Sequence, residues 1–393
     1  MGARFLRRMD WLGAARALGY LRLLALLNAA MLIVLVATSH RGIDRNGFLL
    51  GSDFISFWTV GRMLHAGGAV YDTAAHIAAQ RTYYAPPGGY TAFFYPPSFL
   101  PLCWPLGLLG YFPALAAWLL ATGACYVASV RAWWREAGRP APAWLLLAAF
   151  PAVPIVVTHG QTAFLVAALL GGGVLLVRSR PMLAGVLFGL ATIKPQFGVL
   201  LPLVLLLTGQ WRTILGAAVS ALVLCALGAV LSGAEAWPQW LAASTRAQEA
   251  MTQGAVNHAK MISPFAALKL LGAATTVAYA VQGAVSLAVA AMLGRAAWRR
   301  GWSQALGAAV LAGAPLATPF ALDYDMAVLA FPLLWLTGQG LRTGFADWEK
   351  LAVLLAFAAP AFARPLALAT GVPIAPPILM LLFAVTLRRS LRG

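Results

Sequence analysis

Acidic residues are scarce in this chain. Only 11 of its 393 residues are Asp or Glu, against 28 Lys and Arg, and charged residues make up 10% of the sequence. Soluble globular domains carry about a quarter charged residues, so this composition excludes an ordinary soluble domain. Hydrophobic residues reach 61% and the mean hydropathy is +0.80. These values indicate an integral membrane protein.

Cysteine is rare as well, and the chain has no fixed-period repeat. Cys103, Cys125 and Cys225 lie inside apolar runs without a CxxC pair, so we expect neither a disulfide framework nor a cysteine metal site. The first apolar run lacks a small-residue cleavage site, which favours a retained first span over a removed signal peptide. The Lys and Arg surplus sits mainly in short clusters between apolar runs. This pattern favours membrane topology and lipid headgroups as partners over nucleic acid.

The apolar runs predict a polytopic all-α membrane protein. They recur along almost the whole chain without the alternation of an outer-membrane barrel. With each basic cluster taken as cytoplasmic, we expect one transmembrane domain over 1–393 with about twelve helices, in a bacterial inner membrane, and both termini in the cytoplasm. The runs lie near 20–38, 112–130, 144–157, 162–177, 183–194, 197–208, 213–231, 271–294, 303–318, 326–338, 350–363 and 373–387.

Residues 93–110 depart from this pattern. They carry four prolines within "FFYPPSFLPLCWPLGLLG", and an interior proline removes a helix hydrogen bond that lipid cannot replace. An odd number of crossings is needed to return Arg131, Arg135 and Arg139 to the cytoplasm. We therefore expect a juxtamembrane or re-entrant segment on the outer side, with a proline-kinked full span as the alternative.

Two long stretches then lie on the outer face: residues 39–111, a first periplasmic loop with juxtamembrane helices, and residues 232–270, a second loop. Ionisable groups concentrate on the same face, and because each one is costly near hydrocarbon, their concentration marks the working face. They comprise all five histidines and seven of the 11 carboxylates: His40, His65, His76, His159, His258, Asp44, Asp53, Asp72, Glu235, Glu249, Asp323 and Asp325.

The acidic residues of the first loop have an ordinary structural use. In "GSDFISFWTVGRML", Ser52 or Asp53 would cap a helix whose apolar face lies on the membrane. Asp72 follows two glycines and suits a turn or a cap, while Asp44 reads as a solvated loop end. Capping is the simplest use of Asp53 unless another observation favours chemistry.

Two further elements carry polar groups at the outer ends of apolar runs. Asp323 and Asp325 are two carboxylates that could hold a divalent cation, but no nearby ligand completes the set, and capping a helix near Met326 fits equally well. We therefore expect no metal and no cofactor. In "THGQTAF", His159 and Gln161 gain interest only because they share a face with the acids.

Lys194 interrupts an apolar run and precedes Pro195 in "GLATIKPQFG". Its ammonium must therefore snorkel outward, pair with an acid or bind a substrate anion. The sequence leaves these three alternatives open.

Five stretches together resemble glycosyltransferase family 87, polytopic enzymes of the C-type (GT-C) superfamily. They run in the family's order over about residues 20–340: "SDFISFWTVGRMLHAGGAVYD", "FFYPPSFLPLCWPLGLL", "THGQTAFLVAALL", "RPMLAGVLFGLATIKPQFGVLLPLVLLL" and "ATPFALDYDMAVLAFPLLWL". The resemblance implies inverting hexose transfer from a polyprenyl-monophosphate sugar to a lipid-linked or glycan acceptor on the periplasmic face. Characterised members are mannosyltransferases, whereas no residue of this chain specifies mannose or the acceptor.

The resemblance also implies roles for particular residues. Asp53 matches the catalytic carboxylate of the first outer loop and would act as general base. Lys194 would stabilise the departing phosphate. Further candidates for binding the phosphate or the sugar are Arg62, Tyr95, His159, Gln161, Arg246, His258, Lys260, Asp323 and Asp325.

Two other functional classes stay open on the sequence alone: a transporter or flippase for a lipid-linked or anionic solute, and a non-catalytic assembly partner. Transporters generally place polar residues near the bilayer midplane in related halves. Here the polar residues gather at one face, which favours the enzyme.

Overall fold

The chain folds as a bundle of α-helices; the structure is a computed structural model and describes residues 2–85, 90–254 and 257–392. Within these ranges no β-strand forms, and β-pairing is limited to isolated bridges. The α-helices are α1 (Gly2–Arg8), α2 (Ala14–Thr38), α3 (Phe54–His65), α4 (Thr73–Arg81), α5 (Leu100–Cys103), α6 (Tyr111–Glu136), α7 (Ala143–Ala149), α8 (Ala152–His159), α9 (Ala163–Leu176), α10 (Pro181–Leu190), α11 (Leu201–Leu207), α12 (Trp211–Ser232), α13 (Ala236–Thr252), α14 (Pro264–Leu270), α15 (Thr275–Arg300), α16 (Gln304–Gly313), α17 (Ala330–Thr343), α18 (Glu349–Thr370) and α19 (Ala375–Ser390).

Short 3₁₀ segments connect several of these helices. They are Pro97–Phe99, Trp104–Leu108, Ala191–Ile193, Pro195–Phe197, His258–Lys260, Ala314–Leu316 and Asp323–Leu329.

Five helices of the described chain, α2, α6, α12, α15 and α18, are long and apolar enough to cross a membrane. Each has 22 to 26 residues, and about 20 residues span a 30 Å hydrocarbon core. Every run predicted as a span contains helix, but the remaining helices in those runs are shorter. The all-helical membrane character is confirmed, while the number of twelve spans stays a prediction.

Small residues allow some of the helices to approach at backbone distance. α10 packs closely against α12, where a Cβ on Gly185 would lie 2.1 Å from the carbonyl oxygen of Thr213. A Cβ on Gly216 would lie 2.5 Å from the carbonyl oxygen of Met182. Such contacts are typical of membrane helices, whose association depends on close packing because lipid supplies no hydrophobic force between them.

The first loop folds back into the protein through α3. The apolar side chains that were predicted to lie on the membrane are instead buried in the core, except Leu64, which is half-buried. They pack against α5, α6 and the segment Trp104–Leu108, and a Cβ on Gly61 would lie 2.3 Å from the carbonyl oxygen of Cys103. The membrane-surface prediction for α3 was therefore wrong. An amphipathic pattern identifies an apolar partner but not whether that partner is lipid or protein.

Residues 93–110 supply that partner. They form three short helical turns, Pro97–Phe99, α5 and Trp104–Leu108, each with proline at its first or second position. The rings of Phe57 and Phe99 meet edge to face at 5.1 Å between centroids. Residues 86–89 of the first predicted loop and 255–256 of the second lie outside the described residues.

Candidate active site

Asp53 and Gln161 are joined by a hydrogen bond although 108 positions separate them. Gln161 Nε2 donates to Asp53 Oδ2 at 2.6 Å. Asp53 precedes α3 at the capping position, yet its carboxylate accepts no capping hydrogen bond. The capping prediction was therefore wrong for Asp53. It is confirmed for Asp72, whose Oδ1 accepts from the backbone N–H of Ala75 at 2.8 Å.

The backbone around Gly160 brings these two residues together. α8 ends at His159, and Gly160 follows with φ +65°, a left-handed conformation that favours glycine. A Cβ there would lie 2.6 Å from Cβ of Phe54, so the closeness of the two segments also requires glycine. The backbone N–H of Asp53 donates to the carbonyl oxygen of His159 at 3.0 Å. The first loop is thus fixed against the end of α8.

Tyr95 and Thr162 orient the amide of Gln161. The hydroxyl of Tyr95 donates to Gln161 Oε1 at 2.9 Å, and the backbone N–H of Thr162 donates to the same oxygen at 3.1 Å. Because a backbone N–H can only donate, the amide oxygen must face Thr162, which leaves the NH₂ group for Asp53. Burial raises the pKa of Tyr95, so its hydroxyl stays protonated and remains a donor.

Lys194 pairs with an acid, one of the three alternatives that the sequence left open. Its ammonium forms a buried ion pair with Asp325 Oδ1, and the two residues are only 5% and 4% exposed. Asp325 Oδ2 also accepts from the backbone N–H of Leu322 at 3.0 Å. The rings of Tyr324 and Phe197 lie 4.9 and 5.1 Å from the ammonium. The charge of Lys194 is therefore compensated and enclosed.

Asp323 and Asp325 take different partners. Asp323 Oδ1 accepts from the backbone N–H of Tyr324 at 2.9 Å, and Arg364 Nη1 lies 3.3 Å from Asp323 Oδ2. Among the described residues, no group of three or more His, Cys, Asp and Glu side chains could hold a metal. Arg364 was missed from the sequence, although a charged residue between two prolines of an apolar helix was a signal.

Tyr324 lies between these polar groups and the first loop. Its ring is 6.2 Å from the ring of His159, centroid to centroid. His159 Nδ1 donates to the carbonyl oxygen of Ile155 at 2.9 Å, which holds the ring at the end of α8. The residues 323–325 therefore lie beside the segment that carries Asp53.

The other predicted binding residues are distributed more widely. Arg62 is exposed, with its guanidinium 5.8 Å from the ring centroid of Trp58. Arg246 is exposed on α13, and Lys260 is half-buried. The described contacts bring none of these three to Asp53. His258 lines a small cleft together with Asp323 and Arg364.

A larger cavity lies away from these polar groups. It is an apolar groove of about 980 Å³, including its open side, between α2, α6, α17 and α18. Its walls include Leu21, Tyr126, Phe150 and Leu334. None of the candidate site residues lines this groove, so its size does not identify it as the place of chemistry.

Comparison with known proteins gives one match. A family model described as glycosyltransferase family 87 matches residues 93–320, more than half of the chain. The matched segment includes Tyr95, Gln161 and Lys194, whereas Asp53 and Arg364 lie outside it. No curated protein and no solved structure matches the chain.

Proposed function

The chain belongs to glycosyltransferase family 87, and from that premise we propose that it transfers a hexose from a polyprenyl-monophosphate sugar to a lipid-linked or glycan acceptor. The family indicates a membrane glycosyltransferase. We place the reaction on the periplasmic face of a bacterial inner membrane, where the positive-inside pattern puts the first loop. Mannose is the first sugar to test, because characterised members of the family transfer it.

The hydrogen bond between Gln161 and Asp53 is the observation that carries this proposal. Among the described residues, Asp53 has no cationic partner and its Oδ1 has no hydrogen-bond partner. One oxygen of this carboxylate is therefore held by a neutral donor, and the other is open to a second partner. These are the properties that a general base needs, because it must accept a proton within hydrogen-bonding distance.

In the proposed reaction, Asp53 accepts the proton of the acceptor hydroxyl. The acceptor oxygen forms a bond to C1 of the sugar while the bond between C1 and the phosphate oxygen breaks. The electron pair of that bond leaves with the polyprenyl phosphate, whose negative charge increases. Attack from the face opposite the phosphate inverts the configuration at C1. The leaving phosphate needs charge stabilisation and no proton.

Gln161 and Tyr95 act as positioning residues in this proposal. The buried, protonated hydroxyl of Tyr95 fixes the amide of Gln161, and that amide fixes one oxygen of Asp53. Orientation of this kind lowers the barrier because less freedom is lost on reaching the transition state. Lys194 is engaged with Asp325, which favours a scaffold role for it over direct binding of the phosphate.

The test is transfer from a labelled polyprenyl-phosphate mannose by the purified full chain in lipid nanodiscs, with acceptors drawn from bacterial membrane lipids. Asp53→Asn should lower the rate by roughly 10²- to 10⁴-fold, the range for loss of a general base. Asp72→Asn is the matched control, since Asp72 is also an acid of the first loop but caps α4. It should transfer at nearly the parent rate.

Two outcomes would reject the proposal. Equal rates for Asp53→Asn and the parent would remove Asp53 as the base. Movement of the lipid-linked sugar across proteoliposome membranes without any covalent product would instead support a transporter or flippase.

A further inference from the structure

Arg364 lies in the second half of the apolar helix α18, at the end of the bundle that holds Asp323. An ionisable residue in such a helix is costly and commonly marks a functional position. Its Nη1 lies 3.3 Å from Asp323 Oδ2, a single and rather long contact, and 29% of the side chain is exposed. The structure thus keeps a partly accessible guanidinium beside residues 323–325.

A cleft opens at this guanidinium, and we name it the Arg364 cleft. Most of its volume of about 280 Å³ is the open mouth, so a ligand there lies at the mouth and not inside the cleft. The first turn of α19 forms part of its wall. The cleft is lined by His258, Ala259, Met261, Ile262, Leu270, Asp323, Ala363, Arg364, Ala367, Pro373, Ile374, Ala375 and Pro376.

Arg364 and Lys194 differ in how much of their charge is available. Lys194 is 5% exposed and its ammonium is enclosed by Asp325 and two aromatic rings. Arg364 uses one N–H group towards Asp323, whose other oxygen is already occupied by the backbone N–H of Tyr324. A guanidinium presents several N–H groups in a planar fork that matches phosphate oxygens. Arg364 therefore retains donors for a second anion.

Tyr324 contacts the segment that carries Asp53, and its neighbour Asp323 pairs with Arg364. Residues 323–325 begin a 3₁₀ segment, in which residues two positions apart point in different directions. Asp323 accordingly faces Arg364, whereas Asp325 faces Lys194. The ring of Tyr324 approaches His159, which is bonded to the backbone of Asp53.

Resting on the proposed glycosyl transfer, we propose that the Arg364 cleft binds the phosphate of the lipid-linked sugar donor. Arg364 binds two phosphate oxygens through the N–H groups that its single contact with Asp323 leaves open. The sugar then extends past Tyr324 towards Asp53. This arrangement places the base and the leaving phosphate on opposite sides of C1, as inversion requires.

In this arrangement Arg364 takes part in the chemical step without moving a proton. When the bond from C1 to the phosphate oxygen breaks, its electron pair goes to that oxygen and raises the negative charge of the phosphate. A charge-assisted bidentate contact strengthens as this charge develops. Loss of Arg364 should therefore affect both donor binding and the rate.

A binding experiment on the full chain separates this proposal from the proposed function. The probe is farnesyl phosphate, a short polyprenyl phosphate, titrated into detergent-solubilised protein and followed by isothermal titration calorimetry. Arg364→Gln should weaken binding by roughly 10- to 100-fold, as expected for loss of hydrogen bonds to a charged group. Arg81→Gln, an exposed arginine of the first loop, is the matched control and should bind as the parent does.

Two more variants guard against a folding defect. Arg364→Lys keeps the charge but loses the fork, so it should bind with intermediate affinity. Asp323→Asn removes the competing carboxylate while keeping Arg364, so it should bind farnesyl phosphate at least as tightly as the parent. A purely structural role for the Arg364 and Asp323 pair predicts the opposite, with both residues' variants binding more weakly.

Three results would overturn the proposal. The first is equal binding of farnesyl phosphate by Arg364→Gln and the parent, and the second is displacement of farnesyl phosphate by an equal concentration of inorganic phosphate. The third is an Arg364→Gln variant with a raised KM for the acceptor and an unchanged KM for the donor. Each of these is compatible with transfer that depends on Asp53. Failure of transfer by the parent would reject the proposed function, while the titration would still decide whether the cleft binds a prenyl phosphate.

Discussion

Gln161 holds Asp53 through a single amide hydrogen bond of 2.6 Å. Asp53 and Asp325 differ in the charge of the partner that holds each carboxylate. Asp325 is buried and forms an ion pair with Lys194, whereas Asp53 accepts a hydrogen bond from the neutral amide of Gln161. A fixed carboxylate without a cationic partner is a poor structural element and a suitable base.

Removing the amide donor should slow transfer without weakening donor binding. In Gln161→Leu the side chain keeps its approximate size but no longer orients Asp53. We expect kcat to fall roughly 10- to 100-fold with little change in the donor KM, because the amide acts on the base and not on the phosphate. The measurement is steady-state transfer from a labelled donor.

The matched control is Gln210→Leu. Gln210 donates to the carbonyl oxygen of Thr208 in the turn before α12 and contacts none of the candidate site residues. A fall of the same size in both variants would show that general destabilisation, not orientation of Asp53, causes the loss.

The sequence predicts the class of fold and singles out Asp53 as a candidate base, but it does not predict the partners of Asp53. Asp53 was found because it matches a position in a family motif. Its hydrogen bond to Gln161 spans 108 positions and depends on the turn at Gly160. Contacts between residues so far apart in the sequence follow from tertiary packing, which no local pattern of a single sequence encodes.

Two other misses have the same physical origin. The apolar face of α3 was assigned to lipid because hydrophobic periodicity does not distinguish lipid from protein. Arg364 lies beyond about residue 340, where no family resemblance guided the interpretation. Its pairing with Asp323 becomes visible only when α18 is packed against residues 323–325.

Breaking the buried pair of Lys194 and Asp325 should destabilise the protein strongly. Lys194→Met leaves Asp325 without its counterion at 4% exposure, and loss of one partner of a buried pair costs about 3–5 kcal/mol. The double variant Lys194→Met/Asp325→Leu should regain much of this loss, because neither charge then stays buried. Thermal unfolding in detergent measures the loss of stability in the single variant and its recovery in the double variant.

A surface pair gives the control for that experiment. Arg7 and Asp347 form an ion pair at 57% and 32% side-chain exposure, so Arg7→Gln should change stability by less than about 1 kcal/mol. Equal melting temperatures for Lys194→Met and Arg7→Gln would contradict a buried, mutually dependent pair.

His76 should make the first loop sensitive to acid. Burial lowers the pKa of His76 from 6.5 to about 4, although a backbone contact with Thr91 partly opposes this. Between these values the unfolded chain binds the proton more readily than the folded chain. The contribution of neutral His76 to the free energy of unfolding is therefore fully present above about pH 6.5. It is lost as the pH falls towards 4, by roughly 3 kcal/mol in total.

The variant that tests this is His76→Phe, which keeps a ring beside Tyr90 and Phe93. Between pH 7 and pH 4.5 its unfolding temperature should decrease less than that of the parent. His40→Phe, at an exposed position, should follow the parent. If His76→Phe shows the same decrease as the parent, protonation of other groups accounts for the acid sensitivity.

Gly160 should be sensitive to a single added methyl group, and the chain offers an internal comparison for it. Gly160 and Gly209 both have positive φ values, +65° and +68°. A Cβ on Gly160 would lie 2.6 Å from Cβ of Phe54, whereas a Cβ on Gly209 has nothing within 4 Å. Both Gly→Ala variants therefore carry the backbone cost of about 1–2 kcal/mol, but only Gly160→Ala must also move the first loop.

Because only Gly160→Ala displaces the first loop, Gly160→Ala and Gly209→Ala should differ more in activity than in stability. Gly160 lies between His159, which binds the backbone of Asp53, and Gln161, which binds its carboxylate. A shift of even about 1 Å there can lower the rate by roughly 100-fold, because the base no longer meets the acceptor hydroxyl correctly. We expect Gly209→Ala to transfer at nearly the parent rate after correction for folded protein. Equal activity of the two variants would mean that the contact between α8 and the first loop does not set the position of Asp53.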